Sequence, residues 1–487
     1  MSASSALPDP LPIAPIAVSA AGDHRARGHG SEGRSSIAAH IRVPGSKSLS
    51  NRHLILAALA DAPTTLRGLL ACDDCDHLLA ALAALGTAHR FVRTTEGEAI
   101  VVEPAPPSEA RTDDVRIDLG DGGTPTRFMI AFAAARREGV CTVDGSARMR
   151  ERPVAEGVDM LRALGARIHY VEAEGRLPVR VEGGSLAGGR LRIGRTASSQ
   201  FASALMLVAP TLARGMELEF TEEPTSASYL QLSLAALAAA GVHAEVGYRP
   251  VPVDSTESGL ASIRISSQRI RGGAVSIEPD ASSAVYPAAA AALVGGRVFL
   301  EGLPRRSVQP DAFFLEDLAL RGVRLEESPA DAVRGDGGLL VEARGVLRGR
   351  DADYASAPDA AVMAMVLAAA CDRPSRFTGL RTLRVKESDR IEAVAAGLRA
   401  LGGTVETGDD WVRVHPLPPI PRTGAPITDT VIDTVQDHRI AMAFAVLGLA
   451  RPGIAIANPG CVAKSWPGFW TSLDLLRDAV PGQNAPQ

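Results

Sequence analysis

The chain has 487 residues, a formal net charge of −5, and 46% hydrophobic, 22% charged and 4% aromatic side chains. That length exceeds what one compact core holds, so at least two domains are expected. No apolar run reaches the length of a membrane span, and the mildly acidic balance gives no footprint for nucleic acid, so neither is an expected partner.

Residues 1–36 are rich in Ala, Ser, Pro and Gly and read as a flexible extension, with a possible short strand at Pro12–Val18 and no secretory signal. Ile37–Val43 reads as a strand that ends at the turn signal Pro44-Gly45. Ser46-Lys-Ser-Leu-Ser-Asn-Arg52 then leads into the apolar helical run His53–Ala60. Hydroxyls and cations at a helix mouth suit an anion, because the first N–H groups are unpaired and the dipole is positive there. A surface helix with an ordinary Ser N-cap fits the same stretch equally well. The P-loop pattern is excluded, because its second glycine would have to stand directly before the lysine.

Five scattered cysteines (Cys72, Cys75, Cys141, Cys371, Cys461) argue against a disulfide framework and fit a reducing cytoplasm. Cys72-Asp-Asp-Cys75 is a lone CxxC without a second pair, so no metal is expected.

The dominant pattern is an internal repeat. Helices closing on Gly86, Gly165, Gly241, Gly322 and Gly402 recur about every 80 residues, and Phe469–Ala479 supplies a sixth. A second, Ala-rich helix recurs on the same period. Its copies open on Ser46-Lys-Ser48, Gly123-Thr124, Ser198-Ser-Gln200, Ser282-Ser283, Pro358-Asp359 and Asp437-His-Arg439. Each unit reads strand, helix, strand, helix, strand, strand, which predicts an α/β fold of two three-unit domains with the Ala-rich helices inside and sheets outside. Converging helix mouths would make an anion-attracting site.

The polar openings and the loops between them carry the chemistry. Gly122-Gly123 lets a ligand approach the backbone, or is a plain loop. Arg148-Met-Arg-Glu-Arg152 is a cation cluster or a solvated face. Ser198, Ser199, Gln200, Ser226 and Tyr229 offer hydroxyls and an amide, or caps. Asp359 is a good first-turn cap, and a candidate base if a hydroxyl comes within reach. Lys386 and Arg390 would share a helical face with no acid between them and so repel unless an anion sits there. Glu387, Asp437-His-Arg439 and Lys464 complete the set.

Pro44–Arg52, Gly123-Thr124 with Arg127, Arg150–Pro153, Ser198–Gln200, Asp280–Ala284, Pro358-Asp359, Arg384–Arg390, Asp437–Arg439, and Pro459–Cys461 with Lys464 together resemble the enolpyruvyl transferases. Within them the chain is similar to the 3-phosphoshikimate 1-carboxyvinyltransferase (EPSP synthase) family. The resemblance covers about residues 37–480 and implies a two-domain inside-out α/β barrel of six βαβαββ units, three per domain. Residues 37–46 and 276–487 would form one domain, 47–275 the other, with the active site in the cleft between them. It implies transfer of the enolpyruvyl group of phosphoenolpyruvate to the 5-hydroxyl of shikimate 3-phosphate, without cofactor or metal, by a cytoplasmic monomer.

By the same resemblance, Ser198, Ser199, Ser226 and Lys386 would hold the shikimate phosphate, and Ser48 and Arg52 the carboxylate side. Lys47, Gln200, Tyr229, Asp359 and Thr382 would complete that acceptor site. Lys47, Gly123, Arg152, Gln200, Arg390, Arg439 and Lys464 would surround phosphoenolpyruvate. Asp359 would take the hydroxyl proton, and Glu387 with Lys386 would protonate the methylene; Lys47 joins the catalytic set. The chain departs from the family pattern at Asp121 (usually Asn), Pro125, Thr126, Phe128, Ala227 (usually basic), Thr382 (usually Asn) and Ala463 (usually Arg), while Gly123 is kept. Two alternatives remain: transfer to UDP-N-acetylglucosamine, whose enzymes carry a cysteine where Ala147 stands, and a non-catalytic anion-binding homologue.

Overall fold

A computed structural model describes residues 7–16, 37–94, 97–105, 114–251, 258–329, 337–419 and 429–479. The chain divides into a terminal unit, Met1–Val43 with Pro279–Gln487, and a central unit, Pro44–Glu278. The crossings thus fall after residues 43 and 278, not after 46 and 275.

Each unit holds three core helices in mutual contact. They are Lys47–Ala58, Gly123–Ala135 and Gln200–Val208 in the central unit, and Ala281–Val294, Pro358–Ala368 and His438–Ala450 in the terminal unit. A helix that is apolar all round belongs inside. In Pro358–Ala368 every residue is buried except Asp359. The second helices, such as Asp73–Ala84 and Arg390–Ala400, bury one face against these cores. The glycines that close five of them (Gly86, Gly165, Gly241, Gly322 and Gly402) all have positive φ, from 74° to 105°, the left-handed conformation a C′ residue needs.

The sheets repeat one plan. Asp114–Asp118 runs parallel to Val140–Asp144, which is antiparallel to Val179–Glu182, itself paired with Arg167–Tyr170. Gly189–Ile193, Met216–Phe220, Leu260–Ile265 and Glu245–Tyr248 repeat it. Two copies take their first strand from far along the chain. Ile37–Arg42, which directly precedes the Lys47–Ala58 helix in sequence, pairs with Gly296–Glu301 in the terminal unit. The vacated place beside Thr64–Arg67 is filled by Gly273–Ser276.

The sixth sheet is completed by the N-terminal segment. Leu11–Pro12 pairs antiparallel with residues Ile456 and Ala455, the place a later strand of the repeat holds in the other sheets. Ile13 and Ile16 are buried in the terminal core, and the Asp9 carboxylate accepts from the Asn458 N–H at 2.9 Å. Two buried isoleucines are worth about 1.5–3 kcal/mol each. Residues 7–16 are therefore built into the fold, against the expectation of a flexible extension, and the strand is Leu11–Pro12 instead of Pro12–Val18. The rest of the expected strand and extension, 1–6 and 17–36, lies outside the described residues. No helix among the described residues is long and apolar enough to cross a membrane.

Candidate active site

In the terminal unit the site is built on the first turns of two core helices. Asp359 is the second residue of Pro358–Ala368. Its Oδ1 accepts from Arg390 Nη1 at 2.8 Å and lies 3.4 Å from Lys386 Nζ, and its Oδ2 accepts from Arg439 Nη2 at 3.1 Å. Arg390, 1% exposed, also donates from Nε to Asp437 Oδ2 at 2.7 Å and from Nη2 to Glu387 Oε2 at 2.7 Å. The other oxygen of Glu387 accepts from Lys464 Nζ at 3.3 Å. Asp437 is itself a helix cap, accepting from the Arg439 N–H at 3.0 Å. Four cations thus interlock with three carboxylates.

Burial alone would raise the Asp359 pKa, but Arg439, Lys386 and Arg390 outweigh it and hold the carboxyl well below the usual range. Burial pulls the Arg390 pKa down, and the three surrounding carboxylates reverse this and push it up.

One local expectation fails here. Lys386 is not helical. It follows the 3₁₀ turn Arg381–Val385 with φ −81° and ψ −145°, and the helix begins at Arg390 with Asp389 as its cap. Lys386 and Arg390 do converge, and the anion between them is the chain's own Asp359.

The central unit presents a different arrangement. Ser46 caps the Lys47–Ala58 helix, accepting from the Leu49 N–H at 3.4 Å, so Ser48 keeps its hydroxyl out of the cap. Lys47 Nζ lies 3.4 Å from the buried Asp74, in the first turn of Asp73–Ala84. Arg52 is 2% exposed and donates to Ser233 Oγ (2.9 Å), the Ser48 carbonyl (2.9 Å), Ser203 Oγ (3.4 Å) and the Tyr229 carbonyl (3.1 Å). All four acceptors are neutral, and burial lowers the Arg52 pKa to about 10.

Around the next mouth, Arg127 donates to the Gly123 carbonyl and to Gln200 Oε1, both at 2.9 Å, while Gln200 Nε2 donates to Thr124 Oγ1 at 2.9 Å. Arg152 closes on the same glycine: a Cβ on Gly123 would lie 2.5 Å from its Nη1. The Arg152 Nε is buried without a hydrogen-bond partner among the described residues. Of its neighbours in the cation cluster, Arg150 is tied to Asp144 at 2.6 Å and to Glu172, and Arg148 is exposed, so the solvated-face reading holds for those two. Ser198 Oγ accepts from the Gln200 N–H at 3.3 Å, Ser199 is buried at the cap position without a side-chain cap bond, and Ser226 has a left-handed φ of 49° ahead of the Ala227–Ala239 helix. Such strain in a residue with a side chain costs about 1 kcal/mol or more and tends to collect at functional positions. Cys72 and Cys75 are buried free thiols, and among the described residues no group of three or more His, Cys, Asp or Glu could hold a metal.

The family description "EPSP synthase (3-phosphoshikimate 1-carboxyvinyltransferase)" matches residues 31–473. The chain belongs to the EPSP synthase family. A curated 3-phosphoshikimate 1-carboxyvinyltransferase of Methanosphaerula palustris is 38% identical over 433 residues, covering 88% of this chain and 95% of that protein. One from Haemophilus ducreyi is 34% identical over 447 residues, covering 90% and 96%. A solved EPSP synthase from Acinetobacter baumannii superposes with a TM-score of 0.71 at 25% identity, covering 92% of this chain and 97% of that one. The inside-out α/β architecture is that of the EPSP synthases.

The departures from the EPSP synthase pattern now have places. Asp121 is exposed and accepts a hydrogen bond from the Ser146 hydroxyl. Thr126 turns its hydroxyl back onto the Gly122 carbonyl at 2.7 Å, and the buried Phe128 lies under Arg52, 5.5 Å from ring centre to guanidinium carbon. The Thr382 Oγ1 is buried without a partner among the described residues. Nothing in the structure explains Pro125, Ala227 or Ala463.

Thr124 and Asp437 stood in the polar helix openings read from sequence without a role of their own, and Asp74 was not singled out for the site. Each is a polar residue in a helix first turn or cap, which is the one local signal they give.

Proposed function

We propose that this chain transfers the enolpyruvyl group of phosphoenolpyruvate to the 5-hydroxyl of shikimate 3-phosphate, releasing phosphate. The observation that carries this reading is the Asp359 carboxylate ringed by Arg390, Arg439 and Lys386, beside Glu387 and Lys464. It joins candidate acid–base groups to anion-binding cations in one cluster.

Asp359 is the base for the 5-hydroxyl proton as its oxygen adds to C2 of phosphoenolpyruvate. Glu387, with Lys386 close by, supplies a proton to the C3 methylene, giving a tetrahedral intermediate with a methyl group. Loss of one methyl proton and departure of phosphate then restore the double bond. A carboxylate held so far down by cations is a poor base. An incoming phosphate that takes over Arg439, Lys386 or Arg390 would weaken that hold and make Asp359 basic when substrate is present. Arg390, Arg439 and Lys464 in one set, and Lys47, Gly123, Arg152 and Gln200 in the other, are assigned to phosphoenolpyruvate. Ser48, Arg52, Ser198, Ser199, Ser226, Tyr229, Asp359, Thr382 and Lys386 are assigned to shikimate 3-phosphate, and Lys47 and Gln200 to both reactants. Arg52 suits a carboxylate because the four oxygens it donates to are all neutral. We further propose that the enzyme acts as a cytoplasmic monomer.

Purified protein given phosphoenolpyruvate with shikimate 3-phosphate should release phosphate, and with UDP-N-acetylglucosamine should not. Release only with the second acceptor, or with neither, would overturn the reading.

A further inference from the structure

Asp311 lies outside the groups assigned so far. It is 1% exposed, in the short 3₁₀ turn Pro310–Ala312 of the terminal unit. Its two oxygens reach two different helix mouths. Oδ1 accepts from the backbone N–H of Ala360 at 3.2 Å, and Oδ2 accepts from the Ser282 hydroxyl. Its neighbour Gln309 binds the same place, accepting from the Ala281 N–H at 3.0 Å and donating to the Pro279 carbonyl at 2.7 Å.

The Pro358–Ala368 helix lacks the usual means of holding its own start. Its cap position is Ala357, which has no side-chain acceptor, and its first residue is a proline. The third N–H, which a Ser, Thr or Asp cap would normally satisfy, belongs to Ala360. That N–H is directly adjacent to Asp359. A carboxylate some fifty residues upstream therefore does the capping, and it is anchored in turn through Ser282 to the Ala281–Val294 helix, whose own cap Asp280 accepts from the Ser283 N–H at 3.0 Å. Meanwhile Asp359 is pulled by three cations, Lys386, Arg390 and Arg439.

We infer that Asp311 is the positioning residue for Asp359: it clips the first turn of the base-bearing helix to the neighbouring helix mouth and so fixes where the Asp359 carboxylate stands. This rests on the reading of Asp359 as the base. Burial, and then the Asp359 charge, push the Asp311 pKa up to about 6, so the clip carries a proton more readily than an ordinary aspartate.

The role is tested with Asp311→Ala, Asp311→Asn and Ser282→Ala in the full chain. Asp311→Ala should lower kcat about tenfold or more, with both KM values within about threefold, because placement of the base is lost and substrate binding is not. Asp311→Asn, whose amide oxygen still accepts from Ala360, should recover most of the rate, and Ser282→Ala should fall between that and wild type. In an Asp359→Ala background, Asp311→Ala should leave the residual rate unchanged, since a residue acting through Asp359 has nothing left to position. Independently of turnover, amide exchange at Ala360 should speed up about tenfold or more in Asp311→Ala. The inference is overturned if Asp311→Ala turns over within twofold of wild type, if it lowers the Asp359→Ala residual rate by a further tenfold, or if Ala360 exchange is unchanged. An inactive wild type would instead count against the functional reading, and the exchange measurement would still decide this one.

Discussion

Arg52 in the central unit and Arg390 in the terminal unit are both buried guanidiniums reaching the mouth of a core helix. Their surroundings are opposite. Arg52 donates only to neutral oxygens, and burial drags its pKa down. Arg390 donates to Asp359, Glu387 and Asp437, and its pKa is driven up. A buried cation without an acid is held at a cost that an incoming anion can relieve. A cation already locked to carboxylates instead sets the charge state and position of those carboxylates. On the proposed reading, the central unit would mainly receive anions and the terminal unit would move protons. Lys47 with Asp74 is the point where the central unit borrows the other device.

The contrast can be broken first at Asp359. Asp359→Ala should cut turnover by about three orders of magnitude while shikimate 3-phosphate binding by calorimetry changes little. Near-normal turnover would remove it from the mechanism.

Next come the two arginines. Arg390→Met should destabilise the fold by about 3–5 kcal/mol, because the buried Asp437 loses its arginine and the half-buried Asp359 and Glu387 each lose one of theirs. Arg52→Met should leave the unfolding midpoint nearly unchanged and raise KM for shikimate 3-phosphate about a hundredfold, the loss of one charged contact. Equal stability effects would erase the distinction between the two units.

Asp311 gives a pH test. It is faced by Asp280, Asp359 and Arg439 from three helices, and its pKa is raised from 3.8 to about 6. A carboxyl whose folded pKa is raised favours the fold while protonated, and that contribution is lost as pH rises through the folded pKa. The stability of wild type relative to Asp311→Asn should therefore fall between about pH 4 and pH 6, by up to about 3 kcal/mol. A flat difference across that window would show that Asp311 does not titrate there.

The smallest expected effect is at Gly123. A methyl group there meets Arg152 and Arg127, so Gly123→Ala should raise KM for phosphoenolpyruvate about tenfold with little loss of kcat.

What was legible in sequence followed local rules. The closing glycines announce a left-handed residue, and the polar openings of Ala-rich helices announce buried helix mouths. What was not legible depends on partners far apart in the chain. Nothing near Leu11 says that it will complete a sheet with Ile456, or near Ile37 that it will leave its own helix to pair with Gly296. Lys386 looked helical because charge spacing is all a short run offers, and the cap at Asp389 was the better signal. The capping of Ala360 by Asp311 has no local signature beyond a helix start that lacks a cap of its own.

The division of labour is tested most directly by running the reaction in D2O. Addition of a proton to the phosphoenolpyruvate methylene followed by loss of one from a rotating methyl group predicts deuterium at the vinyl carbon of the product. Normal turnover with no deuterium at that carbon would contradict the account.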